Sequence, residues 1–585
     1  MNASEFRFRF RQILIDNSDR VLLRIVPSPG FSAPIELTGL ELLRRSEALA
    51  DAHTSAAPGE AVLLLLPHSP ELFLLHFGLV LRGCLPGILA WPTSRIDPEK
   101  YQRNLAHQLR HLPARQLITL PQLAANLSPA LPFAVTGCEI ENSSFFEKNL
   151  AVPIDLAPAT EVAPKPQPEL PADALFLQFS GGTTGAQKAV VVTAPMHTAQ
   201  LEHLRQVLAF TSNDGVASWL PMYHDMGLIA CLWFPIWNGG TSLQFSATDW
   251  LLNPEMLFFY LDRYRATFCW LPNFAYSYLA GRRGEMRGEH SLGHVRGVIN
   301  CSEPVRLHSM QKFRDAFSSW GLPETALQAC YAMAETVFAV TQTPLNGEPA
   351  TFDRSRIRRQ SSPYSELACQ VLDDVYVSSG RAIAGTEIRI ANRSEICVEG
   401  EPGEIKLRTD SLFCGYWGAD GFVTTALADG WYSTGDYGFI ANGELFVIGR
   451  MKDIVIVGGQ NIFPEDVETV VNTLEGVYSG RVVAFGVQDD QYGTQALAVV
   501  AELRGEFERK RANELQRAIQ KLVLSTIGVA PRYVNVVPER WIVKSTAGKI
   551  SRKETRERFV REVLQKVVAD PPPSETSNLT KEQHA

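Results

Sequence analysis

Nine residues, Ser180-Gly-Gly-Thr-Thr-Gly-Ala-Gln-Lys188, have the composition of a phosphate cradle. Gly181, Gly182 and Gly185 let backbone N–H groups approach phosphate oxygens. The hydroxyls of Ser180, Thr183 and Thr184 add donors, and Lys188 supplies a compact positive charge. The spacing excludes a Walker loop, because Ala186 and Gln187 separate Gly185 from Lys188. A flexible Gly/Ser/Thr surface turn would have the same composition, so the loop needs company.

Four later stretches supply it. Tyr331-Ala-Met-Ala-Glu-Thr336 sets the Glu335 carboxylate beside the Thr336 hydroxyl, a pairing suited to Mg²⁺ held partly by nucleotide phosphates. Tyr432-Ser-Thr-Gly-Asp436 offers a carboxylate that can accept from ribose hydroxyls, and Arg450 in Gly449-Arg450-Met-Lys452-Asp453 offers a second ribose contact. Lys544-Ser-Thr-Ala-Gly-Lys549-Ile-Ser-Arg552 puts a lysine in a Gly-containing loop near the C-terminus. Each stretch alone is weak; the series in this order is specific.

The elements that must carry these residues read as α/β. Ala61–Leu66 is an unbroken apolar run ending at a proline, followed by a helix-length apolar stretch from Glu71 to Arg82 and then Gly83, the pattern of a buried parallel strand and its crossover helix. Leu175–Phe179 before the glycine loop and Ala217–Leu220 before another loop are further strands. Val152–Asp173, rich in Pro and Ala, reads as an extended surface connection. After Gly443 the texture changes to short β runs, Leu445–Ile448, Ile454–Val457, Val482–Phe485 and Leu497–Val500. A helix with apolar Leu515, Ile519, Leu522 and Ile527 follows. These runs predict a compact C-terminal α+β domain beginning near residue 450, and the terminal stretch from Asp570 is expected to be disordered.

Bulk properties narrow the partners. A chain of 585 residues is too long for one hydrophobic core. With 55 basic and 63 acidic residues the net charge is −8, which gives no basic excess for nucleic acid or an acidic membrane surface. The nine cysteines are scattered without a CxxC pair, which argues against a disulfide framework or structural zinc and for a reducing, cytoplasmic setting. The N-terminus lacks the apolar stretch of a secretory signal, and the most apolar region, Ala61–Leu81, is interrupted by Pro67, His68, Pro70, Glu71 and His76, too often to span a bilayer.

The motif order resembles that of the adenylate-forming superfamily, which includes acyl-CoA synthetases, peptide-synthetase adenylation domains and luciferases; the resemblance covers roughly residues 20 to 565. It implies an α/β fold with a large multi-subdomain N-terminal adenylation domain, residues 1–449, and a small mobile α+β C-terminal domain, residues 450–569, before a tail at 570–585. It implies ATP and Mg²⁺, with Ser180 to Gly185 and Lys188 on phosphates and Glu335 with Thr184 on the metal. Ser302, Glu303 and Pro304 fall in the adenine loop, and Tyr331, Ala332, Met333, Ala334 and Thr336 in the nucleotide site. Asp436 and Arg450 would hold ribose, Lys549 would reach into the adenylation site, and Lys452 would sit at the hinge between the two domains.

Three stretches point to a branch. Trp219-Leu-Pro-Met-Tyr-His-Asp-Met-Gly-Leu228 and Arg263–Tyr276 resemble the fatty acyl-AMP ligases, which adenylate fatty acids and pass the acyl group to the phosphopantetheine of an acyl carrier protein in polyketide, nonribosomal-peptide or lipid pathways. From Glu335 to Gly380 is 45 positions, and the surplus, about Phe352 to Tyr376, lies where these ligases carry an insertion that restrains the C-terminal domain and disfavours CoA. His224 is either a core histidine or a gate on the acyl tunnel. Phe268, Trp270, Phe274, Tyr276 and Tyr278 either line an acyl pocket or pack. The basic cluster Arg504–Arg511 reads as a solvated face. Two other functions remain open: an acyl-CoA synthetase, favoured by Gly458-Gly-Gln-Asn-Ile-Phe-Pro464, and a non-catalytic acyl-binding protein of the same fold.

Overall fold

A computed structural model describes residues 1–92, 98–131, 133–141, 143, 146, 170–179, 189–354, 356–357, 375–392, 395–418, 421–425, 427, 429–457, 460–489, 494–544 and 549–564. The chain divides into two compact units, with the break between Asp453 and Ile454. The break follows Asp453 and not Gly449. The strand Glu444–Arg450 is paired along its length with Tyr432–Ala441, and a short 3-10 turn, Met451–Asp453, continues it. Leu445–Ile448, expected in the C-terminal domain, therefore belongs to the large unit, and so do Arg450 and Lys452.

The large unit is built on two extended sheets. Among the described residues one has nine strands, six of them parallel in the spatial order Leu327–Ala332, Gly297–Asn300, Phe268–Leu271, Gly215–Ser218, Thr241–Gln244 and Val21–Ile25. The other has eight, with the fully buried Ala61–Leu65 between Leu85–Ile88 and Gln116–Thr119. Leu63 and its neighbours have no solvent face, which is why their sequence is continuously apolar and not alternating. The crossover helix Pro70–Arg82 opens on a Ser69 cap and closes on Gly83 at φ +89°, a left-handed position that glycine adopts without strain. The Gly215–Ser218 strand stops two residues short of its expected end, which leaves Trp219 and Leu220 in the loop beyond.

Sequence reasoning did not find the N-terminal helix Ala3–Asp16. Its signals were present: Asn2 and Glu5 form a capping box, and Phe6, Phe10 and Leu14 recur every four residues to make one buried stripe. Phe6 stacks on Trp237 at 4.7 Å and Phe10 lies 4.8 Å from Trp233, so this helix closes the core where the two sheets meet.

A five-stranded antiparallel sheet completes the large unit, with Gly403–Thr409, Tyr432–Ala441 and Glu444–Arg450 adjacent in that order. On it sits a two-stranded ribbon, Thr351–Asp353 against Val375–Val377, in which Phe352 is opposite Tyr376. These two residues pack on Phe439 at 4.8 and 5.7 Å. The two ends of the expected insertion therefore leave and rejoin the fold side by side; residues 355 and 358–374 lie outside the described residues.

The second unit has its own core, with Val483, Phe485, Ala498, Val500, Ile542 and Phe559 buried. Its sheet orders Val477–Asp489, Thr494–Leu503 and Tyr533–Val537, and the helix Arg509–Ile527 buries Leu515, Ile519 and Ile527 while Leu522 stays partly exposed. Arg504 to Arg511 are all exposed, as expected of a solvated face. Among the described residues the eight cysteines are free thiols, and no helix is long and apolar enough to cross a membrane.

Among the described histidines of the large unit, His76 and His197 are buried and His68 is partly enclosed. Burial holds His68 down to about 4 and both His76 and His197 down to about 3, since a desolvated imidazolium is disfavoured. His76 accepts from the indole N–H of Trp233 at 2.9 Å, and neither ring nitrogen of His197 has a partner among the described residues. Folded-state values below the unfolded value of about 6.5 mean that their contribution is complete above that pH and is lost as pH falls below it, at about 1.4 kcal/mol per group per pH unit. His197→Leu should therefore flatten the pH dependence of the urea midpoint. The variant should gain on wild type progressively between neutral pH and pH 4.5, and a constant difference would refute a titrating role for His197.

Candidate functional site

Four adjacent parallel strands end on one edge, and the loops beyond them carry the candidate residues. Leu327–Ala332 leads to Met333–Thr336, Gly297–Asn300 to Cys301–Pro304, Phe268–Leu271 to Asn273 and Phe274, and Gly215–Ser218 to Trp219–Asp225. The carboxyl edge of a parallel sheet is where open α/β proteins bind ligands, because backbone loops diverge there and leave a crevice.

The first loop is tight. Met333 donates its N–H to the Phe338 carbonyl at 2.9 Å, and Val337 is driven to φ +66°, ψ −50°. A β-branched residue there costs about 1–3 kcal/mol, a strain that the closed turn imposes. The result turns Glu335 and Thr336 in different directions. The Glu335 carboxylate accepts from the Tyr416 hydroxyl at 2.7 Å, whereas Thr336 is fully buried with its hydroxyl 3.1 Å from the Met333 carbonyl and 3.0 Å from that of Phe338. Thr336 was expected to present a hydroxyl beside the carboxylate; it is instead a structural brace. Ala334 is buried, while Tyr331, Ala332 and Met333 remain partly exposed.

The Tyr331 hydroxyl donates to Asp436 Oδ2 at 2.5 Å. Asp436 and Arg450 are direct partners in the register of neighbouring strands, and Arg450 Nε lies 3.1 Å from Asp436 Oδ1. The Asp436 side chain is 9% exposed and the Arg450 side chain 53%, so the carboxylate is enclosed and the guanidinium reaches outward. Lys452 is exposed in the following turn, and its charge favours ionised Asp436.

Burial raises both carboxyl groups above their ordinary range. For Asp436 the rise is opposed by Arg450, the Tyr331 hydroxyl and Lys452. For Glu335 it is opposed by the Tyr416 hydroxyl and reinforced by the neighbouring Asp225 carboxylate. A cation near Glu335 would relieve the charge that burial and Asp225 disfavour there.

The base loop is stitched to its neighbour. Asn300 donates to Asn273 Oδ1 at 2.9 Å, and Glu303 Oε2 accepts from the Phe274 N–H at 2.8 Å. Ser302 takes φ +72°, and Ser302, Glu303 and Pro304 are all partly exposed on this edge.

His224 and Asp225 come from the loop after Gly215–Ser218. His224 Nδ1 lies 2.6 Å from Asp225 Oδ1 and 3.3 Å from the Met226 N–H, so the imidazole is held in place by its own turn. A π-helix, Met226–Trp233, begins at once, a wide turn that is uncommon outside functional sites. Gly227 is required there: a Cβ would stand 2.3 Å from the Pro221 carbonyl oxygen.

Of the aromatic run, Phe268, Trp270 and Tyr276 are fully buried packing groups, with Tyr276 donating its hydroxyl to the Val298 carbonyl. Phe274 is 46% exposed and is the exception. Tyr416 was missed by sequence reasoning; its only signal was a Gly-Tyr-Trp-Gly run at 415–418 far from the other motifs. Residues 180–188 lie outside the described residues. The strands flanking them, Ala174–Phe179 and Ala189–Thr193, are antiparallel with Phe179 opposite Ala189, so the segment joins strand to strand, not strand to helix as in a Walker loop.

Lys549, in the second unit, is half-buried. Lys544 and Ile550 pair across its loop, and Ser551 N–H donates to the Val543 carbonyl at 2.8 Å. Arg552 anchors the loop's far end: it lies 2.8 Å from Glu468 and 3.1 Å from Glu465, and its Nε donates to the Ala484 carbonyl at 2.9 Å.

Comparison with known proteins places this geometry. The family model described as AMP-binding enzyme matches residues 19–417. The chain is 30% identical over 430 residues to a long-chain-fatty-acid–AMP ligase of Mycobacterium tuberculosis, covering 68% of this chain and 72% of that protein. It is 28% identical over 538 residues to a medium-chain-fatty-acid–acyl-carrier-protein ligase of Moorena producens, covering 86% of each. A solved structure from a study of fatty acyl-adenylate ligases of E. coli and L. pneumophila shares the fold, with a TM-score of 0.76 at 22% identity over 96% of this chain and 98% of the other. The chain belongs to the AMP-binding enzymes, the adenylate-forming ligases, and among them to the fatty acyl-AMP ligases.

Proposed function

We propose that this ligase joins a fatty acid to AMP, releasing pyrophosphate from ATP, and then passes the acyl group to the phosphopantetheine thiol of an acyl carrier protein that feeds a polyketide, nonribosomal-peptide or lipid pathway. The observation that carries the reading is the Tyr331–Asp436–Arg450 cluster on the same edge as Glu335, Ser302 and His224. The carrier as acceptor is supported by the name of the Moorena relative and by the ribbon-based insertion at 352–376.

A carboxylic acid with an ordinary pKa of about 4.3 is already an anion at neutral pH, so the first step needs no general base. Its oxygen bonds to the α-phosphorus as the bond to pyrophosphate breaks. The task of the protein is to align two anions and neutralise the charge between them. Asp436 and Arg450 take the ribose, with the Tyr331 hydroxyl fixing the Asp436 rotamer. Ser302, Glu303 and Pro304 border the base. Glu335, oriented by Tyr416, would hold Mg²⁺, which would supply charge neutralisation on the phosphates. By their composition residues 180–188, with Lys188, would cradle the phosphates, and Thr184 would join Glu335 in holding the metal. His224 would stand at the acyl end as the gate on the acyl tunnel. Lys549 would serve the adenylation step, with Lys452 as the hinge residue. In the transfer step the carrier sulfur attacks the acyl carbonyl and AMP departs.

The reading is tested by acid-dependent pyrophosphate exchange, followed by acyl transfer from labelled fatty acid to CoA or holo carrier protein. Exchange with some fatty acid and transfer to the carrier are expected; efficient acyl-CoA formation would overturn the assigned acceptor. Lys549→Ala should cut adenylate formation by about 10²–10³-fold, by analogy with the loss of other transition-state charge donors, yet leave transfer from supplied acyl-AMP nearly intact. Equal loss in both steps refutes its role.

Tyr416→Phe removes the hydrogen bond that favours the ionised form of Glu335, so that carboxyl should rise further. Exchange should then need more Mg²⁺ and fall away at a higher pH on its acid side. An unchanged acid limb argues against Glu335 as the metal residue. Deleting residues 355–374 while keeping the paired Phe352 and Tyr376 should leave the ribbon seated and raise CoA use, and CoA use at the wild-type level would leave the segment without that function.

A further inference from the structure

Beside the candidate site two tryptophans lie face to face. Trp219, in the loop that leads to His224, and Trp250, on the helix Ala247–Leu252, have ring centroids 3.8 Å apart and planes 5° apart. Both are buried, at 6% and 0% exposure, and neither indole N–H has a hydrogen-bond partner among the described residues. Burying such a donor unpaired is costly, and two stacked rings carry one each.

The ring edge-on to the pair is apolar and partly open to solvent, and an exposed leucine follows on the same helix. Phe274 sits edge-on to both indoles, at 6.3 and 6.5 Å, with 46% of its surface exposed, and Leu252 is 79% exposed. Tyr278 packs 5.4 Å from Trp250 but spends its hydroxyl on the Leu251 carbonyl. Trp270 also has an unpartnered N–H, yet it lies inside the sheet among Phe234, Phe268 and Phe338, away from any exposed apolar group. The Trp219–Trp250 pair combines orphaned donors with an exposed apolar rim, and it connects directly to the site: Phe274 N–H donates to Glu303, and Trp219 stands five residues before His224.

We propose that this pair selects the acid, and that the substrate is a fatty acid bearing an oxygen acceptor, such as a hydroxyl, toward its distal end. The inference rests on the acid-activating reading above. The apolar rim takes the alkyl chain, and turning the exposed Phe274 ring aside opens the two indole N–H groups, which donate to the oxygen. A site that holds unpaired donors discriminates strongly against an analogue lacking the acceptor, because that analogue leaves the donors unpaired.

Matched ω-hydroxy and unsubstituted alkanoic acids of medium and long chain, compared in pyrophosphate exchange with wild type, Trp219→Phe and Trp250→Phe, test this directly. At one or more chain lengths wild type should favour the hydroxy acid in kcat/KM by at least about tenfold, and the preference should shrink toward unity in the phenylalanine variants, which keep a ring and remove only the donor. Wild type that uses the unsubstituted acid equally well or better at every length overturns the proposal, as does a preference unchanged in both variants. If a variant does not fold, the wild-type ratio alone decides. Silence from every acid of both series, with the protein folded, overturns the acid-activating reading and this inference with it.

Discussion

The contact on which the site depends is the short hydrogen bond from Tyr331 to Asp436. Tyr331 ends a central parallel strand, and Asp436 belongs to the separate five-stranded sheet, so one hydroxyl and one carboxylate tie two sheets together at the nucleotide edge. Strand register then brings Arg450 to the same carboxylate without any search by a flexible loop. A backbone pairing is a stiff way to hold a charge pair, and it leaves the outer part of the guanidinium exposed while Asp436 stays enclosed.

Enclosure has an electrostatic consequence. Glu335, Asp225 and Asp436 concentrate negative charge on one edge, and burial presses two of them toward neutrality. Such an arrangement is costly in an empty protein and favourable around a cation and a polyphosphate. The strained Val337 and the π-helix after Asp225 are backbone costs of the same kind, accepted where loops must aim side chains at a ligand. The surrounding core, from Phe6 to Trp233 and across both sheets, is what holds these departures in place.

Much of this was legible in the chain. Parallel strands without alternation, the crossover helix ending at Gly83 and the residues of five ordered motifs all carried local signals. The motif order led to the right family because chemistry on a nucleotide constrains residue types, not only hydrophobicity. Other features left no usable trace. Tyr416 and Glu335 are separated by many elements, and no spacing rule couples them. Thr336 looks equivalent to Glu335 in sequence, but the turn sends its hydroxyl inward.

The sequence by itself determined the chemistry: which carboxylates, lysines and glycines exist, in what order, and hence that an acid is joined to AMP. It also marked the 352–376 segment by its length, and the structure shows its ends Phe352 and Tyr376 paired across a ribbon that packs on Phe439. The tertiary structure decided which hydroxyl serves the site and which braces it. It also decided which aromatics pack and which reach solvent, and where the orphaned donors of Trp219 and Trp250 meet. The physical reason is that residue type is a local property, whereas burial, register and hydrogen-bond satisfaction depend on partners brought together from distant parts of the chain.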